Sequence, residues 1–210
     1  MKQSHYTVGI SGASGSGKTS FLNELLRHFS PEHICLVSLD NYYRPVQFQE
    51  EDKNGIINFD VPQALDLDTY FEDVQKLRRG QTVCRPEYTF NNPQREAREI
   101  VMKSAPLLLV EGLYVFHEER LRKMLDLKVF IDVEDHIRLK RRILRDKEER
   151  GYDLDGVLYR YEYHVFPAYQ QYIAPHRYTC DLVIPNNHHF EKGLAVLVAF
   201  LQMQLKKLSS

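Results

Sequence analysis

Eight consecutive residues, Gly12-Ala13-Ser14-Gly15-Ser16-Gly17-Lys18-Thr19, satisfy the pattern G-x-x-x-x-G-K-[ST] at every fixed position. Glycines at this spacing let the backbone close around oxygen atoms that a Cβ would push away. Consecutive N–H groups at the start of a helix then ring an anion. Lys18 is placed to reach the outer phosphates of a nucleotide, and the Thr19 hydroxyl to ligate Mg²⁺. The flanks agree: Tyr6-Thr7-Val8-Gly9-Ile10 reads as a buried strand. Residues 20–29 read as a helix, with Phe21, Leu25 and Phe29 along one face. Gly12 through Ser20 are therefore expected to cradle a nucleoside triphosphate.

Two acids stand where such a site needs them. The apolar run Ile34-Cys35-Leu36-Val37-Ser38-Leu39 ends on Asp40, and Leu107-Leu108-Leu109-Val110 ends on Glu111. Strand ends in open α/β sheets face the ligand crevice, so both carboxylates are candidates for the Mg²⁺–phosphate region. Asp40 reads equally as a turn or helix-capping aspartate. Glu111 stands where an Asp is commoner.

Arg138, Arg141, Arg142 and Arg145 are spaced i, i+3, i+4, i+7, one stripe on a helix, and Arg150-Gly151 follows. A stripe of this kind is commonly a solvated face. Beside a phosphate loop, mobile arginines would supply the positive charge that phosphoryl transfer requires. Tyr88 and Phe90, on a segment that reads as a protruding hairpin, would either stack on a ligand ring or pack.

The elements that must carry these residues follow in order. No repeat, low-complexity tract or linker divides the 210 residues, so one domain spanning 1–210 is expected. Its class is α/β, a P-loop NTPase fold with a mostly parallel sheet covered by helices on both faces. Residues 45–62 read as a polar loop. Leu67, Phe71, Val74 and Leu77 have helical spacing with Gly80 as a stop. A small inserted hairpin is expected over 82–102 and an arginine-rich helical lid over 135–160. Further strands are expected at 127–132 and 181–185, a Tyr-rich helix broken near Pro167 at 153–172, and a helix at 189–208. His188 and His189 have no acid or cysteine at metal-ligand spacing and read as surface; His176 and Cys180 are too sparse for zinc.

Composition narrows the class. A net charge of −1 gives no electrostatic footprint for bulk nucleic-acid or anionic-membrane binding. Three scattered cysteines form no disulfide framework and suit a reducing compartment. No apolar run is long enough to span a bilayer, so the chain reads as cytoplasmic.

Taken together, these blocks resemble the uridine–cytidine kinase family across nearly the whole chain. The likeness runs through the phosphate loop, Ser38-Leu39-Asp40-Asn41-Tyr42-Tyr43, Asn58-Phe59-Asp60-Val61-Pro62 and Pro86-Glu87-Tyr88-Thr89-Phe90. It continues through Val110-Glu111-Gly112, residues 135–146, Glu149-Arg150-Gly151, Pro167-Ala168-Tyr169 and residues 181–185. The resemblance implies ATP or GTP as phosphoryl donor, Mg²⁺, and a small nucleoside as acceptor, uridine or cytidine by default. It also suggests a homo-oligomer. Carried over by position, Asp40 is the base for the 5′-hydroxyl, and Thr19, Asp40 and Glu111 form the Mg²⁺ shell. Asp60 and Arg142 hold the ribose, Arg145 and Arg150 reach the transferring phosphate, and Tyr43 and Tyr88 line the nucleoside pocket. Two positions depart from the pattern. Pro93 replaces a base-reading histidine, and Tyr152 replaces an arginine, so base selectivity is expected to be weakened. A different ribosyl or sugar-phosphate acceptor is the alternative within the kinase class. A nucleotide-dependent switch is the alternative outside it, although no Asn-Lys-x-Asp or Leu-Ser-Gly-Gly-Gln motif accompanies the loop.

Overall fold

The computed structural model describes residues 5–89 and 96–209, and of residues 149 and 150 the backbone alone. Among the described residues the strands are β1 (Tyr6–Gly12), β2 (Ile34–Ser38), β3 (Val83–Pro86), β4 (Glu99–Met102), β5 (Leu107–Glu111), β6 (Leu127–Asp132) and β7 (Leu182–Pro185). The helices are α1 (Lys18–Leu26), α2 (Leu67–Arg78), α3 (Glu119–Arg122), α4 (Asp135–Arg150), α5 (Leu154–Arg160), α6 (Phe166–Ala168) and α7 (Glu191–Ser209). Five strands form one sheet in the order β2-β5-β1-β6-β7, and every neighbouring pair is parallel.

A parallel sheet needs cover on both faces, and the apolar runs supply it. Side chains alternate across β5. Leu107 and Leu109 join Val8, Ile10, Val129 and Ile131 beneath α1 and α7. Leu108 and Val110 turn the other way, onto Val37, Phe130 and the α2 residues Tyr70, Val74 and Leu77. Register then does the positioning. Ile10 pairs with Glu111, and Glu111 with Ser38, so β1, β5 and β2 end in one row. The chain leaves that row as the Gly12 loop, the Asp40 turn and Gly112.

β3 and β4 form a separate antiparallel hairpin, with Val83 opposite Met102 and Pro86 opposite Glu99. Its buried residues, Val83 and Met102, pack on the α2 side of the sheet. α2 starts at Asp66, whose Oδ1 accepts from the Thr69 N–H at 3.1 Å, and it stops before Gly80, whose φ is +81°.

Three boundaries differ from the sequence expectation. α1 begins at Lys18 and ends at Leu26, and tighter bonds such as Phe29 N–H to the Leu26 carbonyl (3.2 Å) follow it. Phe29 still packs against the α1 cluster. β2 stops at Ser38, because its hydroxyl caps a one-turn 3₁₀ helix (Leu39–Tyr42) by accepting from the Asp40 N–H at 3.3 Å. The helix expected to break at Pro167 instead runs on, widening into five-residue π stretches at Tyr161–Val165 and Tyr169–Ile173 on either side of α6. Proline has no N–H and crowds the carbonyl one turn back, and wider turns accommodate both defects. No helix among the described residues is long and apolar enough to cross a membrane.

Leu109 is fully buried at the centre of the sheet. Leu109→Ala is expected to lower the unfolding free energy by about 3 kcal/mol, read as a shift of the urea midpoint at constant slope. A loss under about 1 kcal/mol would mean that the α1–α7 face collapses into the space and is not close-packed.

Candidate active site

The loop between β1 and α1 is shaped by what surrounds it. Gly15 has φ +80°, and a Cβ there would lie 2.6 Å from the Arg138 carbonyl oxygen. Gly17 has φ +86°, and a Cβ there would collide with the Asn186 side-chain nitrogen. That nitrogen donates to the Ser16 carbonyl at 2.8 Å, so a buried asparagine after β7 holds the loop from below. The loop residues Gly12, Ala13, Ser14, Gly15, Ser16 and Gly17 thus wrap the start of α1. The first turn of α1 has no capping side chain and no acid, which leaves its N–H groups for an external anion. Thr19 and Ser20 lie exposed on that turn.

Lys18 folds back over the loop. Its Nζ donates to the Gly12 carbonyl at 3.0 Å and the Ala13 carbonyl at 3.4 Å. Burial holds the ammonium below its usual pKa; Glu111 and Asp40 oppose that shift and Arg145 adds to it. Glu111 is buried at the end of β5, and Ser38 Oγ donates to its Oε1 in a short hydrogen bond. Burial first, then the neighbouring Asp40 charge, push the Glu111 carboxyl up to about 7, while Lys18 and Ser38 pull it back. Asp40 itself is exposed. The fold therefore brings Lys18, Asp40, Glu111 and Arg145 into one electrostatic group.

The arginine helix departs from the expected single stripe over the phosphates. Arg138 is fully buried, pairs with Asp135 at 3.0 Å, and packs on aromatic rings. Its guanidinium lies 3.8 Å from the Tyr169 ring centroid, with Phe166 and Tyr161 at 5.6 and 5.9 Å. It is thus a structural residue, because the Tyr-rich segment covers that side of α4 and a guanidinium stacks well there. Arg141 turns to the β7 end, donating to the Asn186 carbonyl at 3.0 Å. Arg142 is 4% exposed; it donates to Ser14 Oγ at 3.0 Å and pairs with Asp146 at 3.1 Å and Asp60 at 3.6 Å. Arg145 gives Asp146 Oδ1 two bonds, at 3.0 and 2.9 Å.

Asp60 and Arg142 are thus brought together, as expected, and directly beside the phosphate loop. Tyr43 and Tyr88 also meet, stacked at 5.0 Å, with Phe59 edge-on to Tyr43 at 6.2 Å. Phe90 and Pro93 lie outside the described residues, as does the side chain of Arg150. The Tyr152 ring lies under the Arg160 guanidinium at 4.5 Å. Sequence reasoning assigned no role to Ser38, Asn41, Asp146 or Asn186. Asp146 had a visible signal, the i, i+4 spacing from Arg142. Ser38 and Asn41 sit inside the block around Asp40, but their partners, Glu111 and the Tyr88 N–H (3.1 Å from Asn41 Oδ1), are distant in sequence.

A central parallel strand running through such a loop into a helix, with acids at the ends of neighbouring strands, defines a phosphate-loop nucleotide-binding protein. Residues 7–190 match the phosphoribulokinase/uridine kinase family, and the chain belongs to that family of phosphotransferases. It is 38% identical over 199 residues to "Uridine kinase" of Borrelia duttonii (strain Ly), covering 95% of each chain. It is 31% identical over 205 residues to "Uridine-cytidine kinase B" of Dictyostelium discoideum, covering 98% of this chain and 84% of the other. The solved phosphoribulokinase from Rhodobacter spheroides shares the fold, with a TM-score of 0.66 at 18% identity over 87% of this chain and 70% of that one.

The raised Glu111 pKa has a signed consequence. Between the ordinary carboxylate value and about 7 the folded state binds a proton that the unfolded chain releases. Stability from this group is therefore greatest at low pH and falls as pH rises from about 4.5 to about 7. Glu111→Gln should lose that slope, so its melting temperature relative to the parent should climb across the window. Parallel melting curves from pH 4.5 to 7.5 would exclude an uncompensated carboxylate in this position.

Proposed function

We propose that the protein transfers the terminal phosphoryl group of a nucleoside triphosphate, ATP by default, to the 5′-hydroxyl of a nucleoside, uridine or cytidine. The observation that carries this reading is the convergence of Lys18, Asp40 and Glu111 beside the loop, with the Tyr43–Tyr88 stack beginning three residues beyond Asp40. A switch needs the loop but has no use for a second, aromatic wall next to an exposed carboxylate. The names of the relatives, uridine kinase and uridine-cytidine kinase, support the nucleoside as acceptor.

The residues present fit a polyphosphate and a hard cation. Gly17 has no room for a Cβ, and the Ser16 hydroxyl is buried in the loop without a hydrogen-bond partner. Thr19, Asp40 and Glu111 offer only oxygen donors, the set that Mg²⁺ takes. No group of three His, Cys, Asp or Glu gathers among the described residues, so water and phosphate oxygens would complete the shell. When bound, Mg²⁺ neutralises charge on the bridging and terminal phosphate oxygens. A cation there would also stabilise the ionised form of Glu111.

In this reading the chain's own groups divide the work. Loop N–H groups and Lys18 hold the outer phosphates. Asp40, exposed to the crevice, accepts the proton of the attacking hydroxyl. Asp60 accepts from the ribose hydroxyls and Arg142 donates to them. Arg142 is tied to Ser14, so sugar and phosphate are gripped by one connected frame. Arg145 would leave its resting place to cover the transferring group and exclude water, and Arg150 is assigned the same task from its place in the sequence. For Arg145 the resting partner is Asp146. Tyr43 and Tyr88, stacked on each other, offer the base one aromatic wall, which suits any aromatic ring and discriminates weakly. With proline at 93 and Tyr152 engaged by Arg160, preference among bases is expected to be modest.

The deciding experiment offers uridine, cytidine, adenosine and ribose with Mg-ATP and measures acceptor-dependent ADP release. Stimulation by a pyrimidine nucleoside supports the reading; turnover indifferent to every acceptor would favour a switch. Asp40→Asn should lower kcat by roughly 10²–10⁴-fold with little change in nucleoside affinity. An unchanged kcat would move the base elsewhere. Asp60→Ala and Arg142→Ala should each raise the acceptor KM, and the double variant should cost less than their sum, since the two groups act on one sugar.

A further inference from the structure

The β3–β4 hairpin meets the Asp40 turn through a buried ionic cluster that takes no part in the chemistry above. Asp73, on α2, is 2% exposed. Its Oδ2 accepts from Arg85 Nε at 2.6 Å and from the Tyr42 hydroxyl at 3.1 Å, and its Oδ1 from Lys76 Nζ at 2.8 Å. Arg85 belongs to β3, and its guanidinium lies 4.6 Å from the centroid of the Tyr42 ring. Tyr42 belongs to the 3₁₀ turn that carries Asp40. It also stands edge-on to Tyr70 at 4.8 Å, and the Tyr70 hydroxyl donates to the Val37 carbonyl at 2.9 Å and the Glu111 carbonyl at 3.3 Å. One carboxylate thus joins three separate pieces: the hairpin, the turn and, through Tyr42 and Tyr70, the ends of β2 and β5.

The contact continues toward the acceptor. Three residues beyond Arg85, the Tyr88 N–H donates to Asn41 Oδ1 at 3.1 Å, and its ring stacks on Tyr43 at 5.0 Å. A two-stranded hairpin has little stability or fixed orientation of its own, so its angle to the sheet must come from such tethers. Packing alone would be served as well by apolar side chains of similar volume, because taking a carboxylate and a guanidinium out of water is costly. What an ionic, hydrogen-bonded cluster adds is direction. Partial burial works against the Asp73 charge, but the bonds from Lys76 and Arg85 outweigh it and keep the carboxyl below its usual range.

We propose that Asp73 is a positioning residue: through Arg85 and Tyr42 it fixes the hairpin to the turn that carries Asp40. The aromatic wall and the proton-accepting carboxylate then move as one body, and an acceptor seated against Tyr88 is aimed at Asp40. This rests on Asp40 and Tyr88 facing the acceptor, as read above. The phosphate loop makes none of these contacts, so its own grip on the nucleotide does not run through them.

Asp73→Asn alone would strand the Arg85 guanidinium, and its effect would mix fold with function. The decisive protein is therefore Asp73→Asn/Arg85→Gln, in which both charges of the Asp73–Arg85 pair are removed and the half-exposed Lys76 ammonium is left to solvent. Its melting temperature should return close to the parent's. Its kcat/KM for uridine should fall roughly 10- to 100-fold, as expected for a misaligned attack, with the nucleotide KM held within about twofold. Tyr42→Phe removes only the hydroxyl that joins the turn to Asp73, and carries the same test in a protein of unchanged shape. It should lose about fivefold in acceptor kcat/KM, the worth of one net hydrogen bond. Parent-like acceptor kinetics in both variants would overturn the proposal, as would equal losses for acceptor and nucleotide. Amide exchange keeps the two readings separate. In the double variant, segments 39–43 and 83–89 should exchange faster together, while β1 and α1 stay as in the parent. A parent that phosphorylates no nucleoside would defeat the proposed reaction, but the exchange result would still decide the coupling. Segments that keep their parental protection would end it.

Discussion

Glu111 and Asp40 bring two negative charges to neighbouring strand ends, one buried and one exposed, and Lys18 is the ammonium whose charge acts on both. Much of the site's arrangement follows from that imbalance. A buried carboxylate next to a second acid is unfavourable, and the Glu111 carboxyl answers by rising to about 7. Ser38 relieves part of the cost by donating a hydrogen bond, and Lys18 relieves part through its charge. Neither cancels it. On the proposed reading, the residual negative charge is what a divalent cation with its own oxygen ligands would neutralise in this corner. The parallel register of β1, β5 and β2 creates the crowding, since it places Ile10, Glu111 and Ser38 in one row.

The positive charges on α4 are distributed by a different rule. A guanidinium can be buried against aromatic faces or against carboxylates, and α4 uses both. Arg138 takes the first option, beneath Tyr169, and Arg142 the second, between Asp60 and Asp146. Asp146 is held by Arg142 and Arg145 together, so the two arginines are linked through one nearly inaccessible acid. Releasing Arg145 toward a phosphate would still leave Asp146 a cationic neighbour. That makes movement of Arg145 cheaper than movement of Arg142. The latter would break contacts with three residues at once, Ser14, Asp60 and Asp146.

Much of this was legible in the sequence where signals are local. The phosphate loop, the apolar runs leading to acids, the α2 spacing and its Gly80 stop, and the hairpin arms all depend on residues within a few positions of one another. The family resemblance supplied the pairing of Asp60 with Arg142 and of Tyr43 with Tyr88, and the geometry brings both pairs together. What stayed hidden depends on distant partners. The i, i+3, i+4, i+7 spacing correctly placed four arginines on one helix, but a helix face is a sector, and the rings that claim Arg138, Tyr161 and Tyr169, lie more than twenty residues later. Asn186 looked like an ordinary residue after a strand; its importance appears only when the Gly17 backbone lies against it. Pro167 was read as a break because it removes a helical hydrogen bond, whereas two wide-turn stretches absorb the defect.

The two halves of the site are built with unequal tolerance. On the phosphate side, recognition runs through backbone N–H groups in a loop where Gly15 and Gly17 have no room for a Cβ. A side chain at Gly15 meets the Arg138 backbone and one at Gly17 the Asn186 amide, so the geometry is rigid and indifferent to what lies beyond the phosphates. On the acceptor side, the proposed recognition runs through side chains: a tyrosine pair, an acid and an arginine, carried by a turn, a loop, a hairpin and α4. Those residues can be exchanged without disturbing the sheet. A stacked aromatic wall keeps much of its attraction when hydrogen-bonding groups are lost, because stacking depends on ring area more than on edge chemistry. Hydrogen-bond readout decides between rings, and stacking decides whether a ring binds at all. On the proposed reading, a chain that keeps Tyr43, Tyr88, Asp60 and Arg142 while changing its edge readers would retain a grip on nucleosides as a class and give up discrimination first.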